Sequence, residues 1–141
     1  MKEILNAKSI MIENEYKIVV VRDGKVLYFS KDRGIKPLYD IYTKNPNDLF
    51  NSYVSDRVTG KAAAMILTKA SICGIYTQLI SEKALNILEE GGVKVVYDKK
   101  VKLILNRDKS GSCPIEFISK DLNPKDTEEL LRGIDKFLKS I

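Results

Sequence analysis

Three clusters of residues have the types and spacing to do chemistry. The first is Asp56-Arg57-Val58-Thr59-Gly60-Lys61, followed at once by the apolar run Ala62-Ala63-Ala64-Met65-Ile66-Leu67. An acid able to cap a helix, two cations and a glycine ahead of such a run predict a buried helix with an anion-accepting pocket at its start. There the unpaired N–H groups carry about half a positive charge. The second cluster is Ser81-Glu82, a helix cap followed by an acid. The third joins Asn106-Arg107, able to clamp an anion, to Cys113-Pro114-Ile115-Glu116, which offers a thiol and a carboxylate. Plainer readings stand beside these: Asp56 and Ser81 as simple caps, Arg57 and Lys61 as solvated cations, Cys113 as a small buried residue beside a turn proline.

The first cluster breaks two ordinary rules. Gly60 in a first helical turn costs about 1 kcal/mol relative to alanine, and Arg57 and Lys61 sit where the helix dipole disfavours cations. Rule-breaking without compensation tends to mark a functional site. Gly60-Lys61 is not a nucleoside-triphosphatase phosphate loop, because that pattern needs glycine in place of Ser55 and Ser or Thr in place of Ala62. The chain has no histidine, which excludes any Ser-His or Cys-His couple and any histidine-containing metal site. Acid–base work would fall to Asp, Glu, Lys, Tyr or Cys. No metal and no cofactor is expected.

The elements that would position these residues follow from periodicity. A short helix is expected over 2–9. Strands over 16–22 and 25–29 flank Asp23-Gly24, a pair suited to a type I′ hairpin. A helix starts near Pro37, tolerated in a first turn, with Leu38, Ile41 and Tyr42 on one face. The central helix is expected over 58–70, apolar nearly all round and therefore buried. A strand over 72–80 holds Cys73 in the core, and a helix capped by Ser81 stops at Gly91-Gly92. Strands over 93–97 and 101–105 flank a turn at Asp98-Lys99-Lys100. Residues 106–114 read as a polar loop, and Asn123-Pro124 caps a last helix carrying Leu130, Leu131, Ile134, Phe137 and Leu138.

A hairpin followed by alternating helices and strands predicts an α/β fold, with helices on both faces of one mixed five-stranded sheet. In such a fold the helix starts near Thr59 and Ser81 share one sheet edge, a site for a small anion.

The 141 residues, 44% hydrophobic and 30% charged, suit one globular domain over 1–141. No stretch approaches the roughly 20 apolar residues of a membrane span, and Met1-Lys2-Glu3 opens no secretory leader. Two cysteines make no disulfide framework, so a cytoplasmic location is expected. The net charge of +5 favours anionic ligands, but the basic residues form no stripe with aromatic platforms, which argues against nucleic acid.

Gly34-Ile35-Lys36-Pro37-Leu38, Asp56 through Ala64, Ile80-Ser81-Glu82, and Asn106-Arg107 through Cys113-Pro114-Ile115-Glu116 together resemble an uncharacterised prokaryotic family with a cytidine-deaminase-like fold. The resemblance covers nearly the whole chain and implies a three-layer α/β/α sandwich. Zinc deaminases carry His-x-Glu and Pro-Cys-x-x-Cys at the two helix starts. Neither motif is present here, which sets zinc-dependent deamination aside.

The expected function is therefore a non-zinc domain binding a nucleotide or other small anion at paired helix N-termini. Its expected ligand-binding residues are Arg57, Thr59, Gly60, Lys61, Ser81, Glu82, Asn106 and Arg107. The alternatives are a metal-independent transferase or hydrolase using Cys113 with Asp56 or Glu116, and a protein-interaction module. A homodimer is compatible with all three.

Overall fold

The computed structural model describes residues 1–105 and 114–141. In chain order the elements are α1 (Lys2–Glu13), β1 (Ile18–Arg22), β2 (Lys25–Ser30), α2 (Lys36–Lys44), β3 (Tyr53–Thr59), α3 (Lys61–Lys69), β4 (Gly74–Ser81), α4 (Glu82–Glu90), β5 (Lys94–Val101), α5 (Pro114–Ser119) and α6 (Thr127–Lys139). They form an α/β fold around one five-stranded sheet of order β2-β1-β3-β4-β5. β1 runs antiparallel to β2 and β3, whereas β3, β4 and β5 are parallel. Among the described residues no helix is long and apolar enough to cross a membrane.

Local chemistry explains several elements directly. Asp23 and Gly24 hold φ of 53° and 76°, the left-handed pair that a type I′ turn requires. Pro37 lies in the first turn of α2, and Ser81 caps α4 by accepting from the Ala84 N–H at 3.2 Å. α1 is longer than expected and buries Ile4, Ala7 and Met11.

Strand alternation divides the core in two. Val19, Val21 and Tyr76 pack against α1 on one face. Ile18, Val20, Val54 and Ile75 join Leu38, Ile66, Leu88 and Leu130 of α2, α3, α4 and α6 in a larger cluster on the other. α3 is buried from Lys61 through Leu67, and its three alanines let it lie close to the sheet.

Three expectations are corrected. Residues 53–59 form a strand, so Asp56 is not a helix cap and Arg57 is not in a first turn. β3 hydrogen-bonds to β1 on one side and β4 on the other, and that pairing outweighs two charged residues in its middle. Asp98-Lys99-Lys100 makes no turn: β5 runs unbroken through it along the sheet edge, where exposed charges discourage further pairing. The sheet thus has five strands as expected, with 53–59 in place of 101–105. Cys73 is half-buried rather than enclosed in the core.

Candidate functional site

Because β3 and β4 are parallel, α3 and α4 both begin at the carboxyl edge of the sheet. β1 is antiparallel to β3, so the connections diverge there. Crevices at such a switch point are the usual ligand sites of open α/β sheets. A cavity of about 380 Å3 opens at this point, with Ile18, Ile35, Leu38, Ala62, Ile104 and Ile115 among its apolar walls. Its polar lining includes Asp56 and Glu116, with Lys17, Asp32 and Arg33 also on the wall.

Asp56 shares a face with Val54, whose side chain lies in the core beneath α3. Burial is the main influence on its carboxyl and pushes it up to about 7. The Arg57 and Val58 N–H groups and the Arg57 guanidinium act in the opposite direction and offset it only in part. The Arg57 N–H donates to Asp56 Oδ1 at 2.8 Å. A carboxyl poised near neutrality can accept hydrogen bonds when ionised, donate one when protonated, or shuttle a proton.

The start of α3 is differently arranged from the anion pocket expected of it. Gly60 is the N-cap, not an interior residue, and at an N-cap glycine is well tolerated. The Lys61 N–H there donates to Glu116 Oε1 at 3.0 Å. A methyl group added at Gly60 would collide with that same oxygen, so glycine is needed for the carboxylate to approach.

The Lys61 side chain leaves the cavity. Its Nζ donates to the carbonyls of Lys120 at 3.2 Å and Leu122 at 2.6 Å, just beyond α5. The two helices therefore cap each other: α5 sends a carboxylate to the amino end of α3, and α3 returns an ammonium to the carbonyls that follow α5. Burial, with help from nearby Lys83, lowers the Lys61 pKa, and Asp121 and Glu116 oppose that shift.

The cavity brings together Asp56, Arg57, Gly60 and Glu116 of the expected residues. Arg57 borders it but commits its guanidinium to the Tyr16 carbonyl at 3.0 Å and the Met11 carbonyl at 3.4 Å. Thr59, Lys61, Ser81 and Glu82 are not on its lining. Thr59 Oγ1 donates to Thr77 Oγ1 at 2.9 Å, which donates in turn to the Leu79 carbonyl at 3.1 Å. Asn106, Arg107 and Cys113 lie outside the described residues.

Lys17, Arg33 and the apolar wall from β1 and α2 had not been anticipated as site residues. Gly34-Ile35 just after Arg33 was the available signal, since a turn glycine with φ of 83° places Arg33 beside the start of α2. Among the described residues no group of three or more Asp, Glu or Cys side chains is placed to hold a metal ion. A second hollow of about 780 Å3, bordered by α1, the β1–β2 turn and Cys73, lies at the opposite sheet edge. Exposed Lys2, Glu3 and Asp23 are on its rim.

No curated protein matches the chain in sequence. Among solved structures, the 2.70 Å crystal structure of a DUF1893 family protein (TM1506) from Thermotoga maritima is similar to it. The two share 28% identity at a TM-score of 0.81, over 99% of this chain and 90% of that one. The family described as "TM1506: Domain of unknown function (DUF1893)" matches residues 6–138, so the chain belongs to the DUF1893 family.

Proposed function

We propose that the protein is a small-molecule-binding domain of cytidine-deaminase-like, three-layer sandwich type, located in the cytoplasm, whose ligand is a nucleotide or a molecule of similar size. The observation that carries this reading is the cavity itself. Its volume of about 380 Å3 falls within the usual range for small-molecule sites, and few polar groups converge on mostly apolar walls. The ligand's inner end faces Asp56. A phosphate lies at Lys17 and Arg33 rather than on the helix starts, because Glu116 and Ser81 already satisfy N–H groups there.

Isothermal titration with nucleosides and their 5′-monophosphates tests this reading. Arg33→Ala is expected to weaken the monophosphates by about tenfold while sparing the nucleosides, and Asp56→Asn to weaken both. Silence from every ligand, or affinity untouched by both substitutions, would count against it.

A second reading rests on Asp56 alone. A carboxyl near pH 7 beside an apolar cavity suits general acid–base catalysis without a metal. It predicts a reaction rate that follows a single ionisation near that pH and disappears in Asp56→Asn.

A further inference from the structure

The start of α3 faces the cavity, yet its positive end is already matched by the Glu116 carboxylate. Glu116 reaches it from 55 residues away, across a cap position where any side chain would obstruct it. Asp56 is a second acid on the wall, and Asp32, next to Arg33 in sequence, is a third. Arg57 and Lys61, the two cations nearest in sequence, direct their charged groups to backbone carbonyls. Among the described residues, the inner end of the cavity therefore presents hydrogen-bond acceptors, and the other cations on its wall, Lys17 and Arg33, are on other segments.

We propose that Glu116 is a specificity-determining residue: by filling the amino end of α3 it makes the cavity select a ligand whose buried end is a nitrogen base bearing N–H donors, and reject a phosphate or carboxylate there. This deepens the binding reading above and rests on the same cavity. An amidine or aminated ring nitrogen directs two N–H groups along one edge and matches a carboxylate in a bidentate pair. A carboxylate head placed at the same point meets two acidic side chains and loses its hydration without a partner.

Three probes with one apolar body and different heads separate these cases: benzamidine, benzamide and benzoate, titrated calorimetrically at pH 8 into the full chain. Wild-type protein is expected to bind benzamidine at least about tenfold tighter than benzoate, with benzamide between them. Glu116→Gln keeps an oxygen for the Lys61 N–H and removes the charge, so its thermal melt stays close to wild type. The variant is expected to narrow the benzamidine-to-benzoate ratio by about tenfold.

Benzoate binding as tightly as benzamidine, or a ratio unchanged in Glu116→Gln, would overturn the proposal. If nucleosides then still bind in an Asp56-dependent way, the binding reading survives that failure. If neither the probes nor any nucleoside or nucleotide binds, both fall together.

Discussion

α3 and α4 begin at the same sheet edge, yet they are started by opposite means. α4 is capped by its own Ser81, whose hydroxyl serves the Ala84 N–H three residues on. α3 has glycine at its cap, and the Lys61 N–H is satisfied by Glu116 from another helix. The local cap leaves the α4 start self-contained. The distant cap ties the α3 start to α5 and to one wall of the cavity. In the second arrangement one carboxylate serves both the helix and the cavity wall, so a change at Glu116 is felt by both.

Substitutions can break this contrast or sharpen it. The largest effect is expected from Lys61→Ala, which removes a buried stem and frees two carbonyls beyond α5. A loss of about 3 kcal/mol is expected in urea unfolding; a loss as small as that of an exposed lysine would show that the reciprocal caps do not support each other.

Asp56→Asn is expected to act in the other direction. Burial raises the folded-state pKa from the ordinary carboxyl value of 3.8 to about 7, so the folded form holds this proton more tightly than the unfolded chain. The contribution to stability is full at low pH and is lost as pH rises through about 7. Asparagine has no such loss. The variant should be more stable than wild type by about 2 kcal/mol at pH 8, with the gap closing toward pH 4 in thermal melts. A pH-independent difference would contradict the burial of this carboxyl.

The smallest effects test the caps themselves. Ser81→Ala and Glu116→Ala should each cost about 1 kcal/mol and add independently. Gly60→Ala should be coupled to Glu116→Ala by about 1 kcal/mol, because the added methyl group displaces the carboxylate that the second substitution removes. Simple additivity of that pair in a double-mutant cycle would separate Gly60 from Glu116.

The same contrast explains what could be read from the chain. The Asp23-Gly24 hairpin, Pro37 in α2, and the Ser81 and Gly91-Gly92 boundaries of α4 rest on residues within one turn of each other, and all four are present. The end of β3 reads as a helix start because Asp56 and Gly60 resemble capping residues, while the ladders to β1 and β4 that make it a strand leave no local mark. β5 was broken at Asp98-Lys99-Lys100, where charges on an exposed edge imitate a turn. α5 was overlooked although Pro114 at its start was a usable signal.

The site was legible only in part. Gly60 drew attention as a misplaced glycine, and its place turned out to be a cap. Asp56 and Glu116 were singled out, but no spacing rule links Gly60 to a glutamate so far along the chain. The expectation for Lys61 rests on the helix dipole, whereas its ammonium donates to carbonyls that only tertiary packing supplies.

The long reach of Glu116 also sets an order of assembly. A polypeptide that has left the ribosome only as far as β5 carries α3 with a bare amino end and a Lys61 ammonium that has no carbonyl to meet. Both are satisfied in one step when the C-terminal third docks, as expected of contacts between distant parts of a chain. The hollow thus gains its last wall, Ile115 and Glu116, only when that late-made segment arrives.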